Sequence, residues 1–266
     1  MASDAIEADL GLPAIDERLV TPQTPYEMWD GELVYVPPAD PPHSTRHLQI
    51  AALIEAHTGP GFESGADLLT RTSRVDDIAP DVSVFPEAPD PRTGGRQLEQ
   101  LAFEITSTQS LGHAGRKAAK LVGRGVRRVF AIDLGRSRAL EWSARLGAWQ
   151  VLDSGGHIED PALAVPLPVE ALVRDAKADD AVARALLAKR NPVLVQGRAE
   201  AKAEGRAEGK AEGKAEAVIV LLAARGIALD RATRMRILGE RNPQQLERWL
   251  GRAATCATLT ELLADT

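Results

Sequence analysis

The run Ala79-Pro80-Asp81-Val82-Ser83-Val84-Phe85 is followed, beyond a Pro- and Gly-rich loop from Pro86 to Gly95, by Leu101-Ala102-Phe103-Glu104-Ile105-Thr106-Ser107. Both runs are short, apolar and bounded by turn residues, which predicts two β-strands. Asp81 opens the first, and Glu104 stands inside the otherwise apolar second. If the strands are neighbours, both carboxylates reach the same small volume, where they repel each other unless a cation is present. Mg2+ suits such a place, because it takes one or two protein carboxylates and keeps waters for a phosphate and a nucleophile. The alternative leaves Glu104 on an exposed strand face and Asp81 as a turn residue at a strand start.

Working outward, Gly31 to Val36 reads as a strand entering the Pro37-Pro38 break. Asp40-Pro41-Pro42 then opens a helix to about Ala56, with Leu48, Ala51, Ala52 and Ile54 as its apolar face, and Gly59-Pro60-Gly61 stops it. A further strand is expected from Ala66 to Val75. After Glu104 comes a helix from about His113 to Arg124, then a strand Arg128 to Asp133, shorter strands at Ala139 to Trp142 and Trp149 to Leu152, and helix over 170–189. A helix joining two strands as a crossover favours a mixed sheet over a pure meander.

The helix after Glu104 is basic. Arg116, Lys120 and Arg124 form one stripe at four-residue spacing, suited to holding a phosphate backbone. Lys117, a quarter-turn away, can lean back over the strand ends and stabilise charge on an attacking hydroxide or a scissile phosphate; its other reading is a solvated helix lysine.

The 266 residues are 44% hydrophobic, 26% charged and only 4% aromatic, so a core of Ala, Leu and Val is expected. No run is long and apolar enough to cross a bilayer, and the acidic start Met1 to Asp9 argues against a signal peptide. A cytoplasmic location is expected. The one cysteine, Cys256, excludes an intrachain disulfide and a Cys-cluster zinc site. The net charge of −6 hides a division. Residues 1–50 carry nine acids against Arg18 and Arg46, whereas residues 101–150 carry nine bases against Glu104, Asp133 and Glu141. A basic patch beside an acidic region fits a metal-dependent enzyme acting on a polyanion, and equally a solvated basic helix.

Pro80-Asp81 with a distant Glu104, inside a helix–three strands–helix–strand core, resembles the PD-(D/E)XK nuclease superfamily. More specifically, the chain resembles the bacterial Uma-type family of restriction-endonuclease-like proteins. The resemblance rests on Tyr26-Glu27-Met28-Trp29-Asp30-Gly31-Glu32-Leu33-Val34, Pro37 to His43, Pro80-Asp81-Val82, Phe103-Glu104-Ile105 with Ser107, Lys117, Gly125-Val126 and the strand ending at Asp133, over roughly residues 20–155. It implies a restriction-endonuclease-like α/β core, a central mixed sheet flanked by helices. It implies Mg2+, with Mn2+ as substitute, on Asp81 and Glu104, and Lys117 in place of the superfamily lysine, whose position holds Thr106. Glu32 matches the acidic residue at the end of the first strand, which implies a third carboxylate, and His43 a histidine at the start of the first helix, which implies a substrate contact. His113 replaces a common aspartate, and Val129-Phe130 a Tyr-Trp pair.

These features divide the chain into a nuclease-like domain (1–190), a charged repeat (191–217) and a small helical module (218–266). The repeat reads as a long helix or a linker. The module has helices at Val218 to Ala224, Arg231 to Leu238, Pro243 to Ala253 and Leu259 to Ala264, with Asn242 as a cap before Pro243 and a Thr258–Glu261 capping box. Trp249 is expected to anchor its core. The tail resembles those of transposase-associated PD-(D/E)XK proteins. In the repeat, Glu200 to Glu216 and Arg198 to Lys214 recur every four residues, so every i, i+4 charge pair is of like sign. An isolated helix of this kind is marginal, and residues 195–224 are expected to pair two subunits. The function expected is a Mg2+-dependent endonuclease hydrolysing DNA. The alternative is a catalytically silent nuclease fold that binds DNA or assembles through its C-terminal helices.

Overall fold

The computed structural model describes residues 14, 17–21, 23–36, 38, 41–106 and 111–264. Pro37, Asp40 and Ser107, named above, lie outside the described residues. Two compact units divide the chain, residues 1–191 and 192–266.

The first unit is built on a six-stranded sheet in the order β10-β9-β8-β7-β6-β3. Its strands are β3 (Phe62–Ala66), β6 (Val82–Pro86), β7 (Leu101–Thr106), β8 (Arg128–Asp133), β9 (Arg138–Ser143) and β10 (Ala148–Val151). β7 and β8 run parallel and the other neighbours antiparallel, so the sheet is mixed. The parallel pair requires a crossover, and α2 (Leu111–Arg124) lies in it. A four-stranded sheet in the order β2-β1-β5-β4 comprises β1 (Tyr26–Trp29), β2 (Glu32–Tyr35), β4 (Thr70–Ser73) and β5 (Asp76–Ile78). A two-stranded ribbon, β11 (His157–Ile158) with β12 (Leu167–Pro168), leads into α3 (Val169–Val173) and α4 (Asp175–Ala188).

Strand alternation sorts β7 onto two cores. Leu101, Phe103 and Ile105 join Val82, Val84, Phe130 and Ile132 against Ile50, Leu53 and Ile54 of α1 (Pro41–His57) and Leu172 of α3. Ala102 faces the other way, with Val129 of β8, onto Ala118 and Leu121 of α2. Glu104 follows Ala102 by two residues and so takes the α2 side. The Phe103 and Phe130 rings stack at 5.1 Å, and burying each contributes about 1.5–3 kcal/mol. Packing of this size is what carries a strand with a buried carboxylate in it.

Two expectations are corrected. The strand expected from Ala66 to Val75 is broken: β3 ends at Ala66, and β4 spans only Thr70–Ser73. Asp67 interrupts the run at φ 53°, a left-handed conformation that no strand residue adopts. The buried face of α1 is Ile50, Leu53 and Ile54, while Leu48 is 73% exposed. That stripe keeps Arg46 and His57 in phase as well, both buried, with Arg46 donating to Leu172 O at 2.7 Å.

In the second unit one helix, α5 (Pro192–Ala224), carries the whole charged repeat and runs on through Val218, Ile219 and Leu222. It is followed by α6 (Arg231–Gly239), α7 (Pro243–Ala253) and α8 (Leu259–Leu263). Asn242 Oδ1 accepts the Gln244 and Gln245 N–H groups, and Thr258 Oγ1 accepts that of Glu261. Trp249, 1% exposed, sits at the centre of the module's core with Leu246, Leu222 and Ala215.

Candidate active site

The register of β6 and β7 pairs Val82 with Phe103, Ser83 with Ala102 and Val84 with Leu101. Carried one residue further, it sets Asp81 opposite Glu104, and opposite residues of an antiparallel pair share a face. The Ile105 N–H donates to Asp81 Oδ2 at 2.5 Å, which ties the aspartate side chain to β7.

Glu104 is 3% exposed. Its Oε2 lies 3.1 Å from Lys117 Nζ. Its Oε1 is buried and has no hydrogen-bond partner among the described residues. Burial pushes this carboxyl well above the usual carboxylate range; Lys117 opposes the shift, while Asp81 and Glu27 add to it.

Lys117 reaches Glu104 because it belongs to the buried stripe of α2, with Ala114, Ala118 and Leu121. Its ammonium also lies 3.5 Å from Glu27 Oε1 and donates to Ala79 O. Burial would lower the Lys117 pKa, but Glu104, Glu27 and Asp81 outweigh it and hold the group charged. Glu27, on β1, is fully engaged. Its Oε1 accepts the Ala79 N–H at 2.9 Å, and its Oε2 accepts Trp29 Nε1–H at 2.8 Å. One carboxylate therefore braces both the helix lysine and the turn that delivers Asp81.

Asp81 has a second set of neighbours. One ring nitrogen of His47 and one carboxylate oxygen each of Asp67 and Asp81 lie within 4.8 Å of one another. The Asp67 N–H donates to Asp81 O at 3.2 Å, and His47 Nε2 lies 2.6 Å from the same carbonyl. Asp67 is exposed, but partial desolvation of its carboxyl raises its pKa; His47 works against that, and Asp81 adds to it.

Of the residues named from the sequence, Asp81, Glu104 and Lys117 come together. Glu32 is exposed on β2, and the carboxylate that faces Lys117 from this hairpin is Glu27. Trp29 carries the signal for it: two residues apart on a strand, Glu27 and Trp29 share a face, and a buried tryptophan buries its companion. His43 is half-buried, its ring 6.2 Å from that of His47. Thr106 is buried and donates to Ile132 O at 3.2 Å, so no side chain stands in for a lysine at that position.

The basic stripe is not one surface. Arg116 is exposed, with its guanidinium 5.7 Å from the Trp29 ring centroid. Lys120 bridges Asp30 and Asp76 at 2.7 and 2.8 Å. Arg124 is buried and donates from Nε to Arg71 O at 3.1 Å. A helix turns 100° per residue, so a four-residue stripe drifts by about 40° per step, and its far end rolls under the protein.

A family described as "Putative restriction endonuclease", Uma2, matches residues 13–170, the span that contains every residue of this cluster. The chain belongs to the Uma2 family. The Uma2 match ends before α4, and α5 to α8 lie beyond it. Among solved structures, one titled a "putative nuclease belonging to DUF820", from Anabaena variabilis, is similar at a TM-score of 0.48 and 19% identity, over 60% of this chain and 98% of that one. No curated protein matches. Among the described residues no helix is long and apolar enough to cross a membrane.

Proposed function

We propose that this Uma2 chain is a Mg2+-dependent endonuclease that hydrolyses DNA phosphodiester bonds, with Asp81 and Glu104 as the metal ligands. The observation that carries the reading is Glu104 Oε1, a buried carboxylate oxygen without a partner, beside a second carboxylate on the same strand face. Leaving such an oxygen unsatisfied costs about 1–3 kcal/mol or more, and a hard cation is the partner that removes the cost. Mn2+, also suited to oxygen donors, serves as a substitute. The bound cation supplies a more acidic water and offsets charge on the phosphate. Asp81 is held for this by the Ile105 N–H, and Glu104 by Lys117. The Lys117 ammonium, fixed by Glu27 and Ala79 O, offers positive charge where negative charge develops on the phosphate. Arg116 supplies a backbone contact at the exposed end of α2, and His43 borders the same region.

The test is cleavage of supercoiled plasmid and of single-stranded DNA with Mg2+ or Mn2+, with Asp81→Ala and Glu104→Gln as controls. Loss of cleavage in both variants supports the reading, and activity surviving in both overturns it. The silent alternative, a nuclease fold that binds DNA or assembles through its C-terminal helices, predicts binding or assembly without cleavage.

A second copy of the chain is the partner we assign to α5. The docking of the module on this helix is the guide. Ala211 and Ala215 are buried beneath it, Lys214 pairs with Glu247 at 3.0 Å, and Glu208 and Glu212 meet Arg241 at 3.7 and 3.6 Å. The alanine groove, with a basic ridge on one side and an acidic one on the other, continues uncovered through Ala199, Ala203 and Ala207. A second α5 offers the opposite charge to each ridge. Interdigitating i, i+4 ridges cross at about −50°.

A further inference from the structure

We propose that His47 and Asp67 join Asp81 in a second divalent-cation position, which takes a first-row transition-metal ion in preference to Mg2+. The inference rests on the metal reading of Asp81 and extends it to two residues that neither the family match nor the sequence motifs single out.

Three elements converge on one backbone group. His47 comes from α1, Asp67 from the turn after β3, and Asp81 from the entry to β6. The Asp81 carbonyl receives both the Asp67 N–H and His47 Nε2. A carbonyl only accepts, so Nε2 carries the proton and the lone pair of the ring is on Nδ1. An imidazole that gives one N–H to a backbone carbonyl and keeps the other nitrogen for a metal is the usual arrangement of a metal-binding histidine. One ring nitrogen of His47 and one carboxylate oxygen each of Asp67 and Asp81 already lie within 4.8 Å of one another. Ligands about 2.0–2.2 Å from one ion stand up to about 4.4 Å apart, so a turn of the His47 ring with rotation of the two aspartate side chains brings the three donors onto one ion.

A second observation points to a cation beside Asp81. The buried, unpartnered Glu104 Oε1 belongs to the residue opposite it across the strand pair. Lys117, an ammonium acting on these carboxylates, is committed to Glu104, Glu27 and Ala79 O. Asp81 is therefore shared: with Glu104 it makes an all-oxygen position, and with His47 and Asp67 a mixed nitrogen–oxygen one. The imidazole sets the preference, because Mg2+ is served by oxygen donors, whereas nitrogen donors favour the later first-row dications.

The test counts bound Mn2+ by electron paramagnetic resonance on the metal-stripped full chain, with Mg2+ as competitor. Electron spin-echo spectra report directly on a coordinated imidazole nitrogen. The wild type is expected to hold a Mn2+ that Mg2+ displaces and another that it does not, the latter coupled to nitrogen. His47→Gln and Asp67→Asn should each remove the Mg2+-resistant ion. Both substitutions suit their places: glutamine can still donate to the carbonyl, and asparagine tolerates the left-handed backbone of position 67. Glu104→Gln should remove the other ion and spare the nitrogen coupling. Binding of a single ion, absence of nitrogen coupling, or an unchanged count in both His47→Gln and Asp67→Asn overturns the proposal. Absence of DNA cleavage with these counts intact would defeat the nuclease reading alone.

Discussion

Glu27 Oε1 lies 3.5 Å from Lys117 Nζ and accepts the Ala79 N–H at 2.9 Å, so a first-strand carboxylate ties a helix on one side to the Asp81 turn on the other. Glu27→Ala strips Ala79 N–H and Trp29 Nε1–H of their acceptor and Lys117 of one of its two ion-pair partners. The expected loss is about 2–5 kcal/mol of unfolding free energy, read by urea titration. Glu27→Gln, which keeps one acceptor oxygen, should lose less. An unchanged urea midpoint in Glu27→Ala contradicts the bracing role.

Lys117→Met removes the ammonium that faces Glu27, Glu104 and Asp81 together. Without metal, the variant should lose about 3–5 kcal/mol, the cost of leaving a buried charge unpaired. Added Mg2+ should then raise its melting temperature more than that of the wild type, because the cation replaces the missing positive charge. Equal shifts in the two proteins would count against cation binding at these carboxylates.

Asp76 gives a pH signature. Burial pushes its carboxyl up, but the Asp30 N–H, Lys120 and Ser73 outweigh this and hold it below the usual range. A depressed folded-state pKa stabilises the protein above the unfolded value of about 3.9, and that stability is lost as pH falls through the folded value. Asp76→Asn should therefore cost about 1–3 kcal/mol at neutral pH. The gap from wild type should close as pH drops below about 4. A gap independent of pH would contradict the linkage.

Arg116 and Arg124 should separate in DNA binding. Arg116→Ala is expected to weaken binding evenly across sequences and to lower the salt slope by about 1, as loss of a phosphate contact does. Arg124→Ala should act on stability instead, since its guanidinium is buried against β4 through Arg71 O. Fluorescence anisotropy over a salt series, beside thermal melts, distinguishes them.

On α5, Ala199→Glu with Ala203→Glu puts acid into the uncovered groove while Ala211 and Ala215, under the module, stay in place. Light scattering should show the wild type at twice the chain mass and the variant at the chain mass. Equal masses exclude this groove as the interface.

The Asp81–Glu104 pairing was legible because both residues stand in short apolar runs whose alternation leaves few places for a carboxylate. The crossover helix was legible from the basic, amphipathic run after Glu104. Glu27 and His47 were not. Glu27 is exposed or buried according to how its hairpin packs, and only the pairing of β1 with β5 puts it inside. His47 reaches Asp81 O from a helix whose buried stripe was read one step out of phase, with exposed Leu48 counted as core. The break at Asp67 was hidden because aspartate does not announce a left-handed backbone as glycine does.

The order of residues in the Glu27–Glu104–Lys117 cluster bears on how the chain is made. Synthesis runs from the N-terminus, and domains tend to fold in that direction as they emerge. Glu27, Asp67, Asp81 and Glu104 are all translated before Lys117 and emerge ahead of it. A nascent chain whose β6 and β7 have emerged and paired therefore holds crowded anions while their internal counter-ion is still inside the exit tunnel. The pairing of those strands is provisional until α2 arrives, and a fragment ending before Leu111, carried clear of the tunnel by a linker, should draw divalent cations more strongly, per carboxylate, than the finished protein does.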